Sequence, residues 1–267
     1  GQGHEGRRRM EPVAMRVVIL QQDIAWADPA ENVRQAEAAI DRRPGADLYV
    51  LPEMFATGFA THPEGVAEPA DSETLRWMVH KAAACRAAVA GSLAVEDGGR
   101  YYNRLCFVHP DGRVETYDKR HLFTYSGEDR HYTRGTRRVV VNFRGVRILL
   151  QVCYDLRFPV WSRNRGDYDV ALYVASWPVG RIEAWSALLR ARAIENQCYV
   201  VGVNRVGRDP VAEYSGASVV IDPYGRTVAT CEDRHVSAAE AVLDLERLAA
   251  FRRKFPVLED GDAFELQ

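Results

Sequence analysis

The 267 residues, 47% of them hydrophobic, are enough to bury a sizeable core in one large α/β domain. Basic and acidic side chains number 35 and 37, a formal charge of −2, which removes the electrostatic case for nucleic acid or an anionic membrane surface as the main partner. Five cysteines without a C-x-x-C pair suggest neither a disulfide framework nor a zinc knuckle, and no apolar run approaches the roughly 20 residues of a bilayer span; a cytoplasmic location is expected, and function is to be sought in a site.

In chain order, residues 1–14 read as a disordered arm or an expression remnant, because GQGHEGRRRMEPVAM lacks the apolar segment of a signal peptide and its arginines at 7–9 fit a solvated tail. One domain is expected over 15–267. MRVVILQQ (15–22) predicts a strand, and Asp28 is placed to cap a helix over 29–43. A strand at 46–53 (ADLYVLPE), a helix over 72–88 and strands at 87–95 and 102–110 follow. Next come strands at 146–153 (VRILLQVC) and 169–176 (DVALYVAS). A helix over 181–197 carries Ile182, Trp185, Leu189 and Arg192 on one stripe, and another strand spans 198–206. GASVVIDP (216–223) and the turn DPYGRTV (222–228) predict a hairpin followed by a helix over 245–255. Several strands are apolar on both faces, as strands between covering layers are, so the alternation predicts a layered α/β protein.

Three polar side chains fall at the ends of apolar segments. Glu53 follows DLYVLP, Lys119 lies in TYDKRHLF beyond the hairpin arm DGRVETY, and Cys153 follows RILLQV. Catalytic groups gather at such ends because rigid sheet meets variable loop there. A carboxylate that takes a thiol's proton, a thiolate that attacks an acyl carbon and an ammonium that stabilises the oxyanion would together hydrolyse an amide or nitrile without metal or cofactor. Singly, each has a plainer reading: a buried Cys as a small hydrophobe, a Glu in a turn, a solvated Lys.

The flanking words narrow the choice. LPEMFATGF (51–59), YDKRHLFTYSGEDRHYTRG (117–135) and CYDLRFPVWSRN (153–164) resemble, in order and spacing, the motifs of the nitrilase, or carbon–nitrogen hydrolase, superfamily, from about Met15 to about Ala250. The resemblance implies a four-layer αββα sandwich, usually paired as a homodimer. It implies Glu53 as general base, Lys119 as the oxyanion lysine and Cys153 as nucleophile. It also implies Glu128 as a second glutamate that orients the lysine and helps position the substrate, and the Tyr154 backbone N–H as the other oxyanion donor. CYDLRFPVWSRNRGDYDVALYVASWPVGR with ARAIENQCYVVGVNRVG is most similar to the bacterial omega-amidase branch. That branch implies small 2-oxo acid amides as substrates, 2-oxoglutaramate and 2-oxosuccinamate. N-carbamoyl amidases, nitrilases and deaminated-glutathione hydrolases share the same residue set. A non-catalytic binding protein and a redox-sensing thiol protein are alternatives of other classes.

Such substrates carry a carboxylate remote from the scissile amide, which calls for a cation or several donors. Arg157, Arg181 and Arg205 lie on segments near the expected site, and Phe59, Tyr125 and Trp177 are expected to shape its walls; Arg157 reads first as a structural ion-pair residue. His121 and His131 bracket the lysine segment and read as hydrogen-bonded structural histidines before a Cys–His dyad. Asp155 reads as a cap, and Cys85, Cys106, Cys198 and Cys231 as packing.

Overall fold

The computed structural model describes residues 13–267; the expected N-terminal arm lies outside the described residues apart from its last two positions, and Ala14 already belongs to the first strand. The first half of the chain comprises β1 (Ala14–Gln21), α1 (Pro29–Asp41), β2 (Leu48–Val50), β3 (Glu68–Pro69), α2 (Glu73–Cys85), β4 (Ala88–Asp97), β5 (Arg100–Val108) and β6 (Val114–Asp118). The second comprises β7 (Val140–Phe143), β8 (Val146–Val152), α3 (Pro159–Ser162), β9 (Val170–Ala175), α4 (Ile182–Asn196) and β10 (Tyr199–Asn204). A ribbon of β11 (Val206–Arg208) and β12 (Glu213–Ser215) follows, then β13 (Val219–Ile221), β14 (Thr227–Thr230), β15 (Ser237–Asp244) and α5 (Leu245–Lys254).

Two sheets result. One runs β15-β1-β2-β4-β5-β6 with β3 beside β4, and the other runs β14-β13-β10-β9-β8-β7. Strand residues alternate between faces, so Val18 and Leu20 pack toward Ala36 and Ile40 of α1, while Val17 and Ile19 enter the core shared with the second sheet. On the far side Trp185 and Leu189 of α4 are fully buried against β10 and β13. The layering is therefore αββα, and burial on both faces is why the strands read as continuous apolar runs. Asp28 caps α1, accepting the Glu31 N–H at 3.2 Å, and Ser72 caps α2, accepting that of Leu75 at 3.0 Å.

The end of the chain differs from the expected hairpin and helix. β13 and β14 do form the hairpin, closed by Gly225 at φ 85° with its N–H on the Asp222 carbonyl, but β15 then pairs antiparallel along the whole of β1. The chain thus crosses from one sheet to the other before α5. SAAEAVLD hides this strand because alanine is a poor strand former, although Ala239, Ala241 and Leu243 alternate inward as a half-buried strand requires. No described helix is long and apolar enough to cross a membrane.

Candidate active site

Lys119 directly follows β6, Cys153 directly follows β8, and Glu53 stands three residues beyond β2, so the strand ends deliver all three to one place. Two non-glycine residues here adopt left-handed backbone, Met54 at φ 45° and Cys153 at φ 44°. Such conformations persist only where the surroundings over-determine them. Lys119 Nζ donates to Glu53 Oε2 at 3.1 Å and to Glu128 Oε1 at 2.8 Å, and all three side chains are excluded from solvent. Its ammonium also lies 5.3 Å from the centre of the Phe59 ring. Glu53 Oε1 accepts the Ser176 N–H at 3.0 Å, and Glu128 Oε1 accepts that of Phe123 at 2.7 Å.

Burial, tempered by Lys119, holds the Glu53 carboxyl above its ordinary range, and the nearby Glu128 adds to the rise. Burial works against the Lys119 charge, yet Glu128 and Glu53 outweigh it and keep the ammonium protonated. Burial and the facing Glu53 raise the Cys153 thiol well above its usual range, while Lys119 and the Ser176 N–H pull the other way. At rest the sulfur is therefore protonated, with its proton next to a carboxylate able to take it. Burial lifts the remaining thiols too, to about 12 for Cys106 and Cys198 and about 11 for Cys231, and all five cysteines are free.

Cys153 opens a 3₁₀ turn, Cys153–Arg157, whose first N–H groups, that of Tyr154 among them, have no partner within the turn. Asp155 anchors it as a cap and more. Its carboxylate accepts from the Val152 N–H, the Tyr117 hydroxyl, the His121 N–H and His121 Nδ1 at 2.7–3.1 Å, tying the cysteine turn to the lysine segment. His121, stacked on Phe158 at 4.0 Å, and His131, paired with Glu64 and packed on His62, are both structural; neither lines the cleft over Cys153.

Phe59, Tyr154, Arg157, Trp177 and Arg181 line that narrow cleft with Cys153 and Lys119. Tyr125 is displaced from its expected place in the wall: it is 85% exposed and borders a wider outer depression that opens from the cleft. Arg157 does not form the ion pair that a structural role would need. It lies over Trp177 at 5.0 Å, Arg181 lies over Phe123 at 5.3 Å, and among the described residues neither guanidinium meets a carboxylate. Arg205 is buried away from the cleft, bonded to Asp23 and stacked on Tyr214. Sequence reasoning missed Asn103, whose Nδ2 bridges Glu53 and Glu128, and Ser176, whose N–H holds Glu53; an asparagine inside an apolar strand was the available signal.

Gly135 supports the lysine from behind. Its N–H donates to the Lys119 carbonyl at 3.0 Å, and a Cβ there would stand 2.0 Å from the Asp118 carbonyl oxygen. Gly135→Ala is expected to destabilise the fold by about 1–3 kcal/mol and to displace Lys119. Thermal denaturation checks it, and an unchanged midpoint would mean the segment yields freely.

The sequence profile of the carbon–nitrogen hydrolase family matches residues 16–253. The chain is 46% identical to the omega-amidase YafV of Escherichia coli (strain K12), over 94% of this chain and 98% of that protein. It is 34% identical to the 2-oxoglutaramate amidase of Bacillus subtilis (strain 168), over 91% and 96%. Among solved structures, XC1258 from Xanthomonas campestris, a CN-hydrolase superfamily protein with an arsenic adduct in its active site, superposes with a TM-score of 0.93 at 40% identity, covering 96% of this chain and all of that one. Saccharomyces cerevisiae Nit3, at 22% identity and a TM-score of 0.83 over 91% of this chain and 95% of its own, shares the fold.

Proposed function

Because this chain belongs to the carbon–nitrogen hydrolase family, and is a hydrolase of amide C–N bonds, we propose that it cleaves the terminal amide of small 2-oxo acid amides, 2-oxoglutaramate and 2-oxosuccinamate, through a cysteine thioester. The observation that carries this reading is the pair of guanidiniums, Arg157 and Arg181, unmatched by any described carboxylate in a small cleft that also holds Cys153 and Lys119. Its two guanidiniums, unpaired among the described residues, suit a carboxylate beside a carbonyl oxygen. The names of the omega-amidase and 2-oxoglutaramate amidase relatives support the same choice.

In this mechanism Glu53 takes the Cys153 proton as sulfur attacks the amide carbon. The oxyanion is held by Lys119 Nζ and the Tyr154 N–H. Glu53 then passes the proton to the departing nitrogen, the C–N bond breaks, and ammonia leaves a thioester. Glu53 next deprotonates a water that attacks the acyl carbon; the C–S bond breaks, the acid departs, and the sulfur regains a proton. Since the thiol is protonated at rest, proton removal accompanies attack. Glu128 keeps the ammonium aimed and charged between two carboxylates. A homodimer and a cytoplasmic location belong to the same reading.

Ammonia release from 2-oxoglutaramate by the purified protein tests the substrate. Faster turnover of an N-carbamoyl amino acid or an aliphatic nitrile would overturn it. Replacing the arginine that holds the carboxylate, Arg157 or Arg181, by Ala is expected to raise KM roughly ten- to a hundredfold with kcat little changed, and to leave a neutral amide such as propionamide unaffected. If neither variant alters the preference for the charged amide, the carboxylate is not bound by these guanidiniums.

A further inference from the structure

Glu53 is joined to itself by a closed ring of hydrogen bonds. The N–H of the next residue, Met54, donates to Ser92 Oγ at 2.8 Å, and that hydroxyl donates to Asn103 Oδ1 at 2.9 Å. Asn103 Nδ2 then donates one hydrogen to Glu53 Oε2 at 2.7 Å and the other to Glu128 Oε2 at 3.0 Å. Ser92, Asn103, Glu53 and Glu128 are all fully buried, so no solvent competes for these bonds. The backbone of Ser92 also holds the glutamate's turn, through Ser92 N–H on the Pro52 carbonyl and Phe55 N–H on the Ser92 carbonyl.

The direction of the ring is fixed by valence. The Ser92 oxygen accepts from the Met54 peptide, so its single hydrogen is free for Asn103 Oδ1; that leaves the amide nitrogen, with two hydrogens, facing the carboxylates. A flipped amide would turn its oxygen on two carboxylate oxygens. Asn103 thus adds a second bridge between the two glutamates beside that of Lys119: it shares Glu53 Oε2 with the ammonium and takes the Glu128 oxygen, Oε2, that the ammonium leaves free.

We propose that Asn103, oriented by Ser92, is a positioning residue for the amidase reaction: it keeps Glu53 ionised and aimed at Cys153 while holding Glu128 on Lys119. This rests on Glu53 acting as the base. A donor on an ionised carboxylate favours the charged form, so loss of Asn103 makes Glu53 harder to ionise, in the direction opposite to its present effect on that carboxyl.

The test reads the thiol without assuming a substrate. The rate of Cys153 alkylation by iodoacetamide, followed at its own peptide by mass spectrometry, is measured against pH in wild type, Glu53→Gln, Asn103→Leu and Ser92→Ala. Asn103→Leu is expected to move the acid limb up by about one pH unit, the worth of one hydrogen bond to a charged group. Ser92→Ala, which removes one oxygen and frees the amide to rotate, moves it the same way by less. A purely structural role lowers or raises the rate alike at every pH and leaves the limb in place, and that result in both variants overturns the proposal. If Asn103→Leu fails to fold, an unmoved limb in Ser92→Ala is sufficient to do so. Glu53→Gln separates the two failures: if it abolishes or displaces the limb while the other variants do not, Asn103 alone is misassigned, and if it too leaves the limb unchanged, Glu53 is not the base.

Discussion

Cys153→Ala is expected to lose amide hydrolysis by a factor on the order of 10⁴–10⁶, the range for removing a nucleophile from a cluster that works as a unit. The fold should survive. The side chain is small, and Asp155 ties its turn to the rest of the site through four hydrogen bonds that the substitution leaves in place. Ammonia release measured beside the thermal midpoint checks both halves. Turnover within tenfold of wild type in the folded variant would remove the thioester from the mechanism. A lost fold together with lost activity would instead assign the strained φ of 44° a stability that depends on the sulfur.

Lys119→Met should fail differently, in stability as well as in rate. Its ammonium stands between two carboxylates fully excluded from water, and without it Glu53 and Glu128 face one another with only Asn103 between them. Breaking a buried ion pair from one side costs about 3–5 kcal/mol. The cost has a pH signature. Burial, with the facing Glu128, raises the folded-state pKa of Glu53 above the unfolded value, and removing the ammonium takes away what tempers that rise, so the folded state binds the proton more tightly. Stability is then retained below the unfolded pKa and lost as pH rises through the folded one. The deficit relative to wild type should therefore be largest in neutral and alkaline solution and shrink toward pH 5. Denaturant melts across that range decide it; a deficit independent of pH would mean that Glu53 remains ionised throughout or that water enters the gap. Activity should fall by a further factor of about 10²–10³ from loss of the proposed oxyanion donor.

Residues local in sequence announced themselves. The apolar runs of β1, β8, β9 and β10, the Asp28 cap and the strand-end placement of Glu53, Lys119 and Cys153 all follow from periodicity and short-range hydrogen bonding, and the flanking words LPEMFATGF and CYDLRFPVWSRN carried the family. What sequence by itself left undecided involves distant partners. β15 pairs with β1 across more than two hundred residues, Ser176 reaches Glu53 across 123, and Asn103 reaches it across 50. A serine at a strand end or an asparagine within a strand has the same local signature whether it meets water, a neighbour or a buried carboxylate, because its partner is chosen by the packing of two sheets and leaves no trace in its own surroundings along the chain. Tyr125 and Arg157 show the same limit from the other side. Sequence placed both near the site, but only the packing of Trp177 and the exposed turn at Thr124–Ser126 decided that the arginine lies over an indole in the cleft, with no carboxylate partner among the described residues, and that the tyrosine stands at its outer rim.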